Sequence, residues 1–135
     1  MMTAQKLQTV QKNQKFRRVE QAIASDKKFI FRSNSGSSSY SYVALRIEPC
    51  ALEDQFILIE NQLKKQDEVL DMLEIMSHIN EALVDYCSGK EKGKLPIANT
   101  KFIIIDTNYN LVDFKPFRYY ECTRMLLDEM FKNVK

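Results

Sequence analysis

The chain has 135 residues, 44% of them apolar and 28% charged, and a formal net charge of +2. That length makes one domain, with room for a core of about one sheet and two or three helices. No run of about 20 apolar residues is present, which excludes a spanning helix, and the polar, basic N-terminus lacks the apolar stretch of a signal peptide. Cys50, Cys87 and Cys122 are odd in number, far apart and without Cys-x-x-Cys spacing. They read as reduced thiols in a cytoplasmic or nuclear protein.

The small net charge hides an asymmetry. Lys6, Lys12, Lys15, Arg17, Arg18, Lys27, Lys28 and Arg32 are opposed by only Glu20 and Asp26 up to Arg32. We therefore divide the chain into a basic N-terminal segment, 1–27, and a single α+β domain, 28–135. Thr3 to Ala24 is expected to be helical, with Leu7, Val10, Val19 and Ile23 as sparse apolar points. So thin a stripe is marginal in water and has to dock on this domain or on a partner. The alternative is a first, edge strand over Phe16 to Ile23. A basic end of this kind can meet phosphate or an acidic protein surface, and the plainer account is a solvated face.

Lys28 to Arg32 reads as a strand, Ser33 to Ser39 as a polar turn, and Tyr40 to Ile47 as a second strand by its period of two. Together they predict a hairpin, which Pro49 ends because proline cannot donate to a ladder. Gln55 to Ile59 is a third strand, and its continuous apolar run predicts a central position.

The long helix comes next, over Asp67 to Cys87. Val69, Met72, Leu73, Met76, Ile79, Leu83 and Tyr86 recur at steps of three and four, and Leu70, Ile75 and Val84 widen the stripe. So wide a stripe predicts packing against a sheet. Asp67 and Glu68 suit the positive end of the helix dipole, and Gly89 can end the helix at positive φ. Lys101 to Asp106, around Phe102-Ile103-Ile104-Ile105, is the strongest strand signal. Thr107 to Asn110 is a turn and Leu111 to Phe114 a short return strand. Pro116 precedes a last helix over about Phe117 to Lys132, where Tyr120, Met125, Leu126, Leu127, Met130 and Phe131 are expected to face inward. The sum is a mostly antiparallel sheet of four to five strands, with the long central helix and a C-terminal helix packed on one face and the N-terminal basic helix or edge strand beside it.

Patterns that carry chemistry are scarce. There is no Gly-x-Gly-x-x-Gly, no phosphate-binding loop and no Gly-x-Ser-x-Gly elbow. A lone histidine, His78, cannot build a His-rich metal site and reads as the edge of the packed helix face. The three cysteines read as packing thiols. Asp106 and Asp113 flank the last turn and are explained by it, although paired carboxylates can also do acid–base work. Lys115, Arg118, Tyr119 and Tyr120 form a basic and aromatic cluster that suits a protein interface or stacked single-stranded RNA. One tyrosine in the core with its neighbours at the rim explains the cluster equally well.

Phe29 to Pro49, with Ser35-Gly36, Tyr40 and the Ile47-Glu48-Pro49 exit, is similar to the first hairpin of the fourth domain of elongation factor G and related ribosomal translocases. Ile79-Asn80-Glu81-Ala82-Leu83 resembles the end of that domain's long helix, and Asn110-Leu111-Val112-Asp113 its second loop. The order of elements from Phe16 to Asn133 agrees. The resemblance implies a ribosome-binding tip carried by Ser37 to Ser39 and by Tyr109 to Asn110. This chain departs from the family in having serines where the first loop is glycine-rich and carries a basic residue. It has Asn110 where the second loop carries a histidine, a longer intervening helix region, and no GTPase domain.

From these residues we expect a non-enzymatic intracellular interaction domain, a small subunit of a hetero-complex of proteins, with no cofactor. The alternative is an RNA- or ribosome-binding module. The candidate partner-binding residues are Lys12, Lys15, Arg17 and Arg18; Ser37, Ser38, Ser39 and Tyr40; Tyr109 and Asn110; and Lys115, Arg118 and Tyr119. Met1-Met2 at the start and an end soon after the last helix fit a complete small protein.

Overall fold

The computed structural model describes residues 3–10, 14–23, 28–32, 40–50, 56–63, 69–89, 95–107 and 117–132. Its elements in chain order are β1 (Thr3–Gln8), β2 (Lys28–Arg32), β3 (Tyr40–Pro49), β4 (Phe56–Asn61), α1 (Val69–Cys87), β5 (Thr100–Thr107) and α2 (Phe117–Met130). The strands form one five-stranded sheet in the order β1-β4-β5-β3-β2. All neighbours are antiparallel except β4 and β5, which run parallel. A parallel pair cannot be joined by a tight turn and needs a long crossover; here α1 lies in that crossover. The fold is thus the expected α+β one, with its one parallel pair at the place where the longest helix intervenes.

Alternation along the strands sorts the side chains. Val43, Leu45 and Ile47 of β3, Ile57 and Ile59 of β4, and Phe102 and Ile104 of β5 are buried in the same cluster as the helices. From α1 that cluster takes Met72, Ile75, Met76, Ile79, Leu83 and Cys87, and from the C-terminal end Tyr119, Cys122, Leu126, Leu127, Met130 and Phe131. Each large side chain removed from water here contributes about 1.5–3 kcal/mol before the cost of ordering it. Helix α1 packs on α2, and α2 lies against β3 and β2. Phe131 ties the layers together, its ring centroid 5.6 Å from Tyr86 and 6.3 Å from Phe102. At the end of α1, Ser88 N donates to Val84 O and Gly89 takes φ 70°, the left-handed turn expected of it.

The other sheet face is mixed. Lys101 Nζ lies 3.4 Å from Glu60 Oε1, Gln62 Nε2 donates to Glu60 Oε2 at 2.7 Å, and Arg46 pairs with Glu48 at 3.5 Å. Ile103 and Ala44 are buried between such side chains.

The N-terminal segment differs most from expectation. Thr3–Gln8 is an edge strand on β4, and residues 14–23 are extended and irregular, so the helix over Thr3 to Ala24 does not form. The edge strand also lies earlier than the alternative at Phe16 to Ile23. The reason is the unmet ladder of β4: six residues of β1 satisfy backbone groups that a thin helix would leave to water. Because β1 and β2 are the two opposite edges, the chain between them has to cross the sheet. It does so where β5 begins. Thr9 Oγ1 donates to Ile97 O, Arg17 N donates to Pro96 O, and Ala98 N donates to Arg17 O. Ile23 then bridges Ile47 shortly before β2 begins. Val10 and Val19 are buried, so the segment docks on its own domain.

Four side chains depart from their expected sides. Leu73 is 60% exposed and Met125 41%, although both sit at inward spacing. On α2 it is Tyr119, at 3% exposure, that enters the core, and Tyr120 stays half-buried. The return strand over Leu111 to Phe114 and the acidic start of α1 at Asp67 and Glu68 lie outside the described residues.

Candidate functional site

Strand register decides which candidate residues share a place. Arg32 at the end of β2 pairs with Tyr40 at the start of β3, and Thr107 at the end of β5 pairs with Val43. Segments 33–39 and 108–116 therefore leave the same end of the sheet, one between β2 and β3 and the other between β5 and α2. Ser37, Ser38, Ser39, Tyr109, Asn110 and Lys115 lie in those segments, outside the described residues, as does Lys12. Close to this end β5 carries a bulge, with a register shift opposite Ala44 and Leu45. A bulge adds twist and re-aims the residues after it. Asp106 follows within β5, and its Oδ1 accepts from Thr107 N at 2.9 Å; the turn expected to explain it lies outside the described residues.

The basic N-terminal residues lie at the far end. Arg17 bridges Ile97, just before β5 begins. The eight residues of β5 span roughly 25 Å, so Arg17 lies far from the strand ends at Arg32, Tyr40 and Thr107. Lys15 and Arg18 are exposed, and Arg18 Nε lies 3.7 Å from Glu20. Arg17 is half-buried with its Nε shielded from solvent.

The cluster at the start of α2 is split by burial. Tyr119 is a core residue and is removed from the candidate surface, because the sheet side of α2 claims it. Arg118 is half-buried with Nη1 3.9 Å from Glu121. Phe117, 55% exposed, stacks on Tyr120 at 5.6 Å and meets the edge of His78 at 6.1 Å. Tyr120 donates its hydroxyl proton to Asp85 Oδ2 at 2.7 Å and accepts a hydrogen bond from Arg124 Nη1 at 3.4 Å. Burial pushes the Tyr120 phenol up to about 12, helped by its bond to Asp85 and by the negative charges of Asp85 and Glu81. It is held as a proton donor at neutral pH. This ledge was not legible in the sequence, since Asp85 and Tyr120 are 35 residues apart and nothing local pairs them.

Cys87 and Cys122 are fully buried and Cys50 is partly exposed. Burial drives the Cys87 thiol far above its ordinary range, and the Arg17 guanidinium only partly offsets this. A thiol so placed stays protonated and packs as a small apolar group. Among the described residues no three His, Cys, Asp or Glu side chains converge as metal ligands, and no helix is long and apolar enough to cross a membrane.

No family model matches the chain, and no curated protein matches it. Among solved structures, a crystal structure of a protein from Thermus thermophilus is similar to it, with a TM-score of 0.67 and 13% sequence identity. The match covers 88% of this chain and 17% of that chain. The likeness is one of fold, and it is a likeness to part of a much longer protein.

Proposed function

We propose that this chain is a non-enzymatic binding domain of a larger assembly. Its partner in this reading is the ribosome, or RNA of ribosomal type, met through segments 33–39 and 108–116 in the manner of the fourth domain of elongation factor G-like translocases. The observation that carries the reading is the register: Arg32 opposite Tyr40, and Thr107 opposite Val43, put the roots of both segments at one end of the sheet. The same sequence strings that resemble the family's two loops are the ones so bracketed. A fold that also occurs as 17% of a longer chain suits a module that presents a tip. Serine hydroxyls and the charged ends of Lys115 and Arg118 are groups that contact phosphate oxygens, while Tyr109 and Asn110 suit base contacts. Lys15 and Arg18, at the other end, take no part.

Co-sedimentation of the purified chain with ribosomes over a salt series tests this. Binding should weaken steeply as salt rises, because phosphate contacts release counterions. Replacing Ser37, Ser38 and Ser39 together by glutamate, or Tyr109 and Asn110 by alanine, should weaken it by about tenfold or more, equivalent to ~1.4 kcal/mol. Lys15→Glu with Arg18→Glu should leave it within about twofold, because exposed charges outside a contact carry little energy. The reverse pattern would overturn the proposal. A nuclease-resistant, salt-insensitive set of bound proteins would instead mark the chain as a subunit of a protein complex.

A further inference from the structure

A second surface lies beside β1. Gln5 and Leu7 pair with Ile59 and Ile57, so they sit on the helix side of the sheet. There they face a stripe of α1 made of Leu73, Met76, Ser77, Asn80, Glu81, Val84 and Asp85. Between strand and helix runs an open groove of about 530 Å³. Its apolar part is Leu7, Met76, Val84 and the exposed Leu73, which accounts for an apolar residue at inward spacing being left in solvent.

Three observations define what would fill it. First, β1 is the terminal strand of the sheet. Every second residue of such a strand turns both its N–H and its C=O outward, a template for another strand. Second, the charged side chains among its described lining residues are both acidic, Glu81 and Asp85, and Glu74 is exposed on the same helix. Lys6 of β1 turns to the opposite face, with Nζ 4.7 Å from the Phe56 ring centroid. Third, the groove leaves Leu73 60% exposed, apolar surface that a docked segment would take from water.

We propose that this groove is a docking site for an extended, basic segment of a partner protein, which adds beside β1 as a sixth strand. Its main chain pairs with the outer edge of β1. Apolar side chains at alternate positions rest on Leu7, Leu73, Met76 and Val84, and lysine or arginine side chains reach Glu81 and Asp85. This is strand addition, in which backbone bonds supply affinity and alternate side-chain pockets supply selectivity. It is independent of the ribosome reading, because it uses neither segment 33–39 nor segment 108–116.

The probe is an acetylated, amidated hexapeptide, Lys-Val-Lys-Ile-Lys-Val, titrated into the full chain and followed by ¹⁵N chemical shifts. Controls are the same peptide with glutamate for lysine, and the lysine peptide N-methylated at alternate residues. The lysine peptide should shift amides of β1 and of residues 73–85 and bind at least about tenfold more tightly than either control. Glu81→Lys, an exposed change that leaves the core untouched, should weaken it by about tenfold, and Leu73→Asp should do the same. Equal binding of lysine and glutamate peptides would overturn the proposal, as would binding indifferent to N-methylation or to Glu81→Lys, shifts elsewhere in the chain, or no binding. A concentration-dependent dimer abolished by Leu73→Asp would overturn it too, since the occupant would then be a second copy.

Discussion

Leu73 and Ile79 occupy the same apolar stripe of α1 by spacing, yet Ile79 is fully buried and Leu73 is 60% exposed. Truncating each to alanine separates the two. Ile79→Ala removes three carbons, worth about 2.4 kcal/mol of transfer free energy at ~0.8 kcal/mol each. Incomplete collapse of the cavity adds about 1 kcal/mol, and the better helix propensity of alanine returns about 0.4 kcal/mol. The expected loss is about 3 kcal/mol. With an unfolding entropy of ~2.1 cal/mol/K per residue, a chain of 135 residues should lose about 11 °C of Tm. Leu73→Ala should cost no more than about 0.5 kcal/mol, or ~2 °C, because its side chain is largely in water already. Urea and thermal unfolding followed by far-ultraviolet circular dichroism reads both. Equal losses, or a loss above about 2 kcal/mol for Leu73→Ala, would refute the placement of α1 and with it the groove.

Tyr120→Phe removes the bond to Asp85 and should cost about 1 kcal/mol at neutral pH. The phenol is held above its ordinary 10.0, at about 12, so its contribution is complete below pH 10 and fades as pH rises toward 12; stability curves of the two proteins should converge there. If the gap between them is flat from pH 8 to pH 12, the phenol is not held above its ordinary value. A thiol reagent should modify Cys50 readily and reach Cys87 and Cys122 only on unfolding, and fast modification of all three would contradict the burial of the last two. Thr9→Val leaves Ile97 O without its buried donor and should destabilise by about 1–2 kcal/mol; no effect would mean that the crossing segment is not fastened there. Tyr119→Ala should cost about 3 kcal/mol or more and Phe117→Ala far less, which a shared unfolding assay distinguishes.

The elements that could be read from the residues are those whose signal is local. Four consecutive apolar residues from Phe102 announce β5, and the steps of three and four from Met72 to Leu83 announce α1, because each element needs only its own period to bury one side. The β2–β3 hairpin was legible for the same reason, with a polar Ser33–Ser39 stretch between two apolar runs. The position of Gly89 told where α1 ends, since its φ is a property of one residue.

The N-terminus was not legible. Thr3–Gln8 becomes a strand only because β4, some fifty residues later, has an edge to be covered, and no pattern in the six residues carries that information. Equally non-local are the parallel pairing of β4 with β5 and the choice of Tyr119 over Tyr120 for the core. So is the meeting of Asp85 with Tyr120. Of the candidate residues, the serine and Tyr109–Asn110 segments could be named one by one, but that the strands bounding them end together follows from strand register. The distance of Arg17 and Arg18 from those strand ends follows from a crossing of the whole sheet. The groove beside β1 needs both an edge strand and a helix face that sequence periodicity had assigned to the interior. Local periods are written residue by residue, whereas edges, register and the side of a helix left in water are set by which elements compete for the same neighbours.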